Sequence, residues 1–437
     1  MKNLIQLTFL LTASLFFAQK KWSLEECVRY ALDHNLQIIN NTYTKDIQEL
    51  SYQAAQKEKL PSVSGSFSNN LDFGQQRYIS VVQRNDNFNN SANVSANILL
   101  YNNHRLEKAV RKASYELDAS RMDVETVKNN VSLQIAQEYL TALLNKEIVR
   151  INVSALENAQ KLFDRAKITT EVGTTAQTVL AEAQAALARE KQNVISAEVN
   201  VKRSLFNLAQ LLQLPEFDDF DIQEPQITEE ITQPLYESSE ILQTAYATQP
   251  QLKAAEYRIK SATEQTEITK TSFYPTVNLN AGLGTFYFNQ LNHGNDTAFF
   301  RQYSENFGQQ VGVSVNVPIF NKGITKLQVE QSKINESIAL NNLLQEKEQL
   351  KQNVQKAQFD AASNYESYVA ALEAEQSSEL ALDFTQKSYE AGRSTIYDLN
   401  AARNNSANAK GSVAQAKYNY LFSLKLLNFY QGLPITL

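Results

Sequence analysis

Residues 309–334 read QQVGVSVNVPIFNKGITKLQVEQSKI, and the spacing of their apolar residues changes part-way along. Up to Ile319 every second residue is apolar, which is the pattern of a β-strand with two unlike faces. From Ile324 the spacing becomes helical and opens a Gln-, Glu-, Lys- and Ala-rich run with no proline before Pro434. The stretch therefore predicts a strand that passes directly into a helix, and a helix far longer than the average of roughly 11 residues.

The composition limits the classes of function. The chain has 437 residues, 43% of them hydrophobic, and a net charge of -6, so nothing favours a polyanion-binding surface. A single cysteine, Cys27, and three histidines leave no disulfide framework and no Cys/His group with the spacing of a metal site. We expect no catalytic residue, no metal and no cofactor.

Residues 1–18 have the three parts of a secretory signal peptide. Lys2 supplies the positive charge, residues 4–17 the apolar segment, and Ala18 ends a plausible cleavage site. A signal anchor is the alternative, although the apolar run is shorter than the ~18 residues that a spanning helix needs. No later segment is apolar enough to span as a helix, so we expect any membrane crossing to use strands.

A first structural repeat is predicted over residues 19–214. It opens with a helix that begins at the capping box of Ser23 and Glu26 and runs to about Leu60. A β-hairpin follows over residues 61–101, with a polar loop at about 75–90. A long helix, a turn near residue 173 and a return helix complete the repeat.

The same layout recurs over residues 236–437, with a hairpin at 275–320 and a turn near 392. One constant offset in numbering relates Gly173 to Gly392 and the Leu-Pro pair at 214–215 to the pair at 433–434. Such matches at many boundaries indicate an internal duplication. Residues 215–235 between the repeats are acidic, contain no basic residue, and are predicted to be a proline-containing linker.

Each hairpin strand has about ten alternating residues, the length that a tilted strand needs to cross a bilayer. Four strands cannot close a barrel, whereas three chains would supply twelve. The polar Asn- and Ser-rich faces would line a pore, and several aromatic residues beside the hairpins would anchor at the membrane interface. The residues predicted to face lipid are Val63, Phe67, Leu71, Val94, Ile98, Val277, Leu279, Val311, Val313, Val315 and Val317.

Taken together, the chain resembles the TolC-like outer membrane efflux proteins of Gram-negative bacteria, over nearly the whole mature length. The stretches that carry the resemblance are SLEE (23–26), ALDHNL (31–36), PIFNKG (318–323), YEAGRSTIYDL (389–399) and AKYNYL (416–421). The resemblance implies a mainly α fold with a small β part. It also implies a homotrimer, in which four transmembrane strands per chain form a shared β-barrel and the long periplasmic helices form an α-helical barrel.

The function implied by this resemblance is that of an exit duct. Such a duct sits in the outer membrane, extends into the periplasm, and serves a tripartite efflux or type I secretion system. Its partners would be a periplasmic adaptor (membrane fusion) protein and an inner-membrane pump of the RND, ABC or MFS type. The main alternative is a secreted periplasmic coiled-coil adaptor or scaffold without a barrel; an enzyme is disfavoured because no cleft with converging acid, base or metal groups can be found.

The two turns of the long helices are the predicted docking tip. A glycine there supplies the left-handed conformation of a helix C-cap, and the resemblance adds contact with the adaptor. The tip residues are Gly173, Thr174, Thr175, Gly392, Arg393, Ser394 and Thr395.

A constriction is expected beside the second turn. By resemblance, Asp398 from three chains would form an acidic ring, and Tyr389 and Arg393 would tie neighbouring helices together. The simpler reading is that Asp398 is an aspartate in the first turn of a helix, favoured by the helix dipole. The chain departs from the family at Ala401, where a second acid is usual, and at Ser394, where an arginine is usual.

Overall fold

A computed structural model describes residues 21–78, 81–225, 238–291 and 297–433. The predicted signal peptide, residues 1–18, lies outside the described residues. The strands are β1 (Lys21–Trp22), β2 (Ser62–Asp72), β3 (Gln75–Tyr78), β4 (Val81–Arg84), β5 (Asn87–Tyr101), β6 (Asp221–Ile222), β7 (Thr276–Gln290) and β8 (Gly308–Asn316).

Helices make up most of the described chain. They are α1 (Leu24–His34), α2 (Leu36–Lys57), α3 (Arg105–Glu171), α4 (Gln177–Leu212), α5 (Ser238–Thr248), α6 (Pro250–Lys270), α7 (Phe299–Glu305), α8 (Ile324–Glu390) and α9 (Ile396–Tyr430), with a short 3-10 turn at Thr271–Phe273. The two long helices, α3 and α8, have 67 residues each. At ~1.5 Å per residue each measures about 100 Å along its axis.

The chain divides into two compact units, and each unit draws on both predicted repeats. A helical unit comprises the described parts of Met1–Tyr43, Met122–Leu252 and Gln345–Leu437. A strand-bearing unit comprises the described parts of Thr44–Arg121 and Lys253–Leu344. The predicted repeats therefore do not correspond to compact units.

The strand-bearing unit is organised around a four-stranded antiparallel sheet of order β2-β5-β7-β8. Its helices α3 and α6 are joined by polar contacts. The guanidinium of Arg111 donates to both carboxylate oxygens of Glu264, at 2.8 and 3.0 Å, and Ser261 donates to Glu116 at 3.1 Å. Hydrogen bonds thus hold α3 and α6 in register beside the sheet.

The helical unit has an apolar core in which α1, α3, α4 and α9 meet. The hydroxyl of the buried Tyr139 lies 3.1 Å from the carbonyl oxygen of Trp22 and 2.8 Å from that of Gln223. It therefore ties α3 to the parallel pair formed by β1 and β6. Burial raises the pKa of Tyr139, so this hydroxyl keeps its proton at any physiological pH.

The predicted linker is only partly irregular. Residues 221–222 form β6, and Phe220 and Ile222 are buried in the core of the helical unit. Lys146 pairs with Asp221 at 2.5 Å; burial opposes ionisation of this carboxyl, but Lys146 holds its pKa below the usual value. Residues 220–222 of the predicted linker are thus held against the helical unit, because two apolar side chains among the acidic ones reach the core. Residues 226–237 lie outside the described part of the chain.

The opening helix also differs from its prediction. The Ser23–Glu26 capping box is present, but the helix stops at His34 and restarts at Leu36 instead of running to Leu60. Asn35 is extended at the break; its side-chain amide donates to the carbonyl oxygen of Leu211 at 3.1 Å. A tertiary hydrogen bond replaces helix continuation at this point.

The hairpin boundaries shift as well. The strand predicted from 311 to 319 is observed at Gly308–Asn316, so Val317 lies beyond it, next to Pro318, which has no N–H for a ladder. The loop predicted at 75–90 contains the ribbon of β3 and β4 and the first residues of β5.

Candidate functional site

The sheet has one apolar and one polar face. Residues directly opposite each other in an antiparallel pair point to the same side, and the register pairs Val63 with Ala96, Val94 with Leu283, and Leu279 with Val313. All the residues predicted to face lipid except Val317 therefore share one face, here called the apolar face. They are Val63, Phe67, Leu71, Val94, Ile98, Val277, Leu279, Val311, Val313 and Val315.

The opposite, polar face carries hydroxyl and amide groups. Its cross-strand hydroxyl pairs are Ser64 with Ser95 at 3.0 Å and Ser68 with Ser91 at 2.8 Å. Both edge strands, β2 and β8, are exposed at every residue, and neither has a second partner strand among the described residues. Each edge therefore offers a row of free backbone donors and acceptors.

Both strand-to-helix junctions are made by two consecutive residues with positive φ. Asn103 and His104 have φ of 51° and 60°, and Lys322 and Gly323 have 59° and 77°. The spacing of apolar residues located the change from strand to helix, but the sequence did not predict a left-handed backbone conformation at His104. The signal was available, because the numbering offset between the two turn glycines also relates His104 to Gly323.

The turns at the ends of the long helices share one backbone motif. Gly173 has φ of 77° and Gly392 has φ of 71°. In the first turn the N–H of Thr174 donates to the carbonyl oxygen of Thr169. In the second the N–H of Arg393 donates to the carbonyl oxygen of Ser388. Together with bonds from both glycines three residues back, these are Schellman motifs, which satisfy the last carbonyls of α3 and α8.

A small apolar cluster brings the two turns to the same end of the helical unit. It joins residues of the last turns of α3 with the beginnings of α4 and α9, and Tyr389 at the end of α8 packs against it. The buried members are Leu162, Ala166, Ala183, Ile396 and Leu399. Thr174, Gly392 and Arg393 are exposed around this cluster, and Thr175 and Ser394 are half-buried.

Asp398 is part of a capping box at the start of α9. Its Oδ2 accepts from the N–H of Thr395 at 2.9 Å and from the hydroxyl at 2.6 Å, and its own N–H donates back to that hydroxyl at 3.2 Å. These hydrogen bonds lower the pKa of Asp398. Asp398 therefore has the simpler of the two roles considered for it, that of an aspartate in the first turn of a helix. Among the described residues, no hydrogen bond or ion pair joins Tyr389, Arg393 and Asp398.

Arg403 is a residue of this region that the sequence did not single out. It lies two turns into α9, and its guanidinium donates to the carbonyl oxygen of Asn158 on α3 at 3.2 Å. Burial lowers the pKa of Arg403. It lines a groove of about 410 Å³ between α3, α4 and α9, together with Arg150, Glu182 and Arg189. An arginine among Ala and Asn in a polar helix gives no sequence signal of burial.

Two further findings concern the described residues alone. Within them, no helix is both long and apolar enough to cross a membrane. No group of three or more His, Cys, Asp or Glu side chains in the same residues is arranged to hold a metal ion.

The duplicated hairpins and long helices match a known family. Residues 30–213 and 241–432 fit the model of the outer membrane efflux proteins. The chain belongs to this family. The resemblance seen in the sequence is thereby confirmed, and so is the predicted mainly α fold with a small β part. An adaptor or scaffold without a barrel is not favoured, because the match includes both hairpins.

Curated relatives in this family are distant in sequence. The chain is 26% identical to the pyoverdine export outer membrane protein OpmQ of Pseudomonas putida, over 50% of this chain and 44% of OpmQ. It is 26% identical to the outer membrane protein TolC of Escherichia coli, over 68% of this chain and 60% of TolC. These alignments span less than two thirds of either relative. A third, the outer membrane efflux protein BepC of Brucella suis, is 22% identical over 87% of this chain and 79% of BepC.

Solved structures of bacterial membrane channels share the fold. A structure of CusC superposes with a TM-score of 0.78 at 16% identity, covering 96% of each chain. The CmeC outer membrane channel of Campylobacter jejuni gives a TM-score of 0.75 at 20% identity, covering 94% of this chain and 85% of CmeC.

Proposed function

We propose that this chain is the outer membrane exit duct of a tripartite efflux or type I secretion system. Three copies close a twelve-stranded barrel in the outer membrane, and their long helices extend into the periplasm as a second, α-helical barrel. Substrates pass from an inner-membrane pump of the RND, ABC or MFS type, through a periplasmic adaptor, to the outside. The duct performs no chemistry and holds no cofactor, and the pump supplies the energy.

The observation that carries this proposal is the two-faced sheet with two open edges. In hydrocarbon every backbone N–H and C=O needs a partner, so β2 and β8 have to pair with neighbouring chains. Closing three copies through these edges gives twelve strands with the apolar face towards lipid and the Ser- and Asn-rich face towards a water-filled bore. Two copies would give eight strands, whose interior is filled by side chains.

The tip contact with the adaptor belongs to the same proposal. The adaptor docks on the seven tip residues, Gly173, Thr174, Thr175, Gly392, Arg393, Ser394 and Thr395. The support is that both turns project from one end of the helical unit and expose backbone and small polar side chains. We further propose that Tyr389, Arg393 and Asp398 narrow the tunnel beside this tip.

The test is the oligomeric state and conductance of the full mature chain. Outer membrane fractions should contain a trimer that dissociates on heating, and the purified trimer should open ion-conducting pores in planar bilayers. A monomer confined to the soluble periplasmic fraction would contradict the proposal. As a matched pair, Val313→Asp on the apolar face should prevent membrane assembly, whereas Ser314→Asp on the polar face should permit it.

A further inference from the structure

The short helix α7 covers a part of the sheet edge that no strand covers within the described residues. β7 continues to Gln290, but its pairing with β8 ends where Gly284 meets Gly308. Beyond Gly284 the backbone of β7 needs other partners on this side. The chain between Gln290 and Gly308 has to supply them if this part of the sheet lies in or next to lipid.

Side-chain amides of this segment take the place of a strand. The N–H of Phe288 donates to Oε1 of Gln302 at 3.1 Å, and Nε2 of Gln302 donates to the carbonyl oxygen of Phe288 at 3.1 Å. Nδ2 of Asn306 donates to the carbonyl oxygen of Phe286 at 2.8 Å. The amide of Gln302 thus makes the two hydrogen bonds that a residue of an adjacent strand would make.

The same segment lies on the apolar side of the sheet. Thr285 and Tyr287 continue the apolar face, because they pair with Ala92 and Asn90 and follow Leu283 at two-residue spacing. The hydroxyl of Thr285 donates to the carbonyl oxygen of Tyr303 at 2.7 Å. The ring of Tyr287 lies 4.9 Å from that of Phe299, which in turn stacks on Tyr303 at 4.5 Å.

The exposed residues of α7 are Phe300, Arg301, Ser304 and Glu305, which together carry no net charge. Phe300 is 83% exposed and Phe307, just beyond the helix, is 57% exposed. The charged neighbours Arg301 and Glu305 pair with each other at 2.8 Å. Exposed aromatic side chains at the end of an apolar sheet face match the aromatic girdles that flank the apolar band of membrane barrels.

We propose that α7 is an interfacial helix that inserts Phe300 and Phe307 into the outer-leaflet lipids at the outer rim of the barrel. The inference rests on the proposed function, which makes the apolar face the lipid face. The register sets the position along the barrel: the hairpin loops lie at the end of the sheet opposite to the strand-to-helix junctions. The partner is the bilayer itself, at the boundary between headgroups and hydrocarbon.

Tryptophan reporters can test this, because the chain has a single tryptophan, Trp22. In a Trp22→Phe background, the full trimer would carry Phe300→Trp, Val313→Trp or Ser314→Trp. Each would be reconstituted into phosphatidylcholine vesicles with either plain or brominated acyl chains. We expect the reporters at 300 and 313 to be blue-shifted and to lose most of their emission in the brominated vesicles, and the reporter at 314 to keep its emission.

The outcomes separate the two proposals. Quenching at 313 without quenching at 300 overturns the proposed role of α7 and leaves the proposed duct function unaffected. A blue-shifted but unquenched reporter at 300 means that a neighbouring chain covers Phe300, which also overturns it. The absence of quenching at 313 contradicts the proposed barrel orientation itself. Heat-sensitive trimer formation, checked for each variant, shows that the reporters sit in the assembled protein.

Discussion

The two turns that reverse the long helices have the same backbone but different side-chain support. Both end their helix with a left-handed glycine in a Schellman motif. After the second turn, α9 starts with a capping box made by Thr395 and Asp398. After the first turn, the N-cap position of α4 is held by Ala176, whose side chain cannot cap the helix.

The hydrogen bonding of the hydroxyl groups also favours the second turn over the first. In the first turn the hydroxyl oxygens of Thr170 and Thr175 are buried without a hydrogen-bond partner. In the second, the hydroxyl of Ser394 donates to that of Ser388 at 2.6 Å. Since an N-cap is worth about 0.5–2 kcal/mol and an unsatisfied buried polar group costs about 1–3 kcal/mol, we infer that the first turn opens more readily.

The largest effect should come from removing the feature that the turns share. Gly392→Val places a β-branched residue at φ of 71°, which costs at least about 1–2 kcal/mol and reshapes the exposed tip. We expect trimers to remain in the membrane while export and adaptor cross-linking are lost. Susceptibility of the cells to exported compounds and cross-linking yield are the measurements.

A control for this change is available in the same unit. Gly411 lies within α9 without positive φ, and an added Cβ would meet only Cδ1 of Ile148, at 3.7 Å. Gly411→Ala should therefore leave export unchanged and stabilise α9 by up to about 1 kcal/mol. Normal export by a well-expressed Gly392→Val trimer would refute the role of the second turn.

The second prediction makes the two turns alike by removing the capping box that follows the second turn. Thr395→Ala deletes the side chain that accepts from the N–H of Asp398, at a cost of about 1 kcal/mol. We expect amide hydrogen exchange in the first turn of α9 to become roughly fivefold faster. Exchange at the start of α4 should not change, and an equal acceleration at both turns would mean that they open together.

The third prediction makes the two turns alike by adding an N-cap after the first turn. Ala176 has φ of -73° and ψ of 149°, the extended conformation of a capping residue, and it is exposed. Ala176→Ser should cap α4 and slow exchange in its first turn by up to roughly fivefold. Unchanged exchange there would show that the missing cap is not what weakens the first turn.

The comparison also shows which features the sequence could predict. The alternation of Val311, Val313 and Val315 predicted a shared face, because side-chain direction in a strand follows from spacing alone. The turn glycines were predictable for the same local reason. Asn35 was not predicted: its Oδ1 caps the next helix locally by accepting from the N–H of Gln37, but its bond to the carbonyl oxygen of Leu211 depends on a distant part of the sequence.

Long-range contacts explain the other differences. β6 forms because it pairs with β1, which lies at the opposite end of the first repeat, and because Phe220 and Ile222 reach a core built mainly by α1, α3, α4 and α9. Val317 is excluded from β8 although it continues the alternation, because the ladder has already ended. Arg403 is half-buried and donates to α3, a contact that no local pattern in the sequence predicts.

Asp398 should produce the smallest stability effect. Its hydrogen bonds with Thr395 hold the pKa of Asp398 below its usual value of 3.8. A carboxyl with a lowered pKa stabilises the fold above its unfolded pKa, and this stabilisation is lost as the pH falls through the folded pKa. The start of α9 should therefore loosen only below about pH 4. In Asp398→Asn, whose amide oxygen can still accept from Thr395 but does not titrate, this loosening below about pH 4 should be absent.

The same variant separates the cap from the proposed constriction. Both hydrogen bonds that the Asp398 carboxylate accepts go to Oδ2, so Oδ1 and the negative charge remain available to the tunnel. Thr395→Ala removes the cap and keeps the charge, whereas Asp398→Asn removes the charge and keeps an acceptor. In single-channel recordings we expect cation selectivity and block by multivalent cations to fall in Asp398→Asn and to persist in Thr395→Ala. Unchanged selectivity in Asp398→Asn would make the capping box the whole role of this residue, and the second turn would then differ from the first in stability alone.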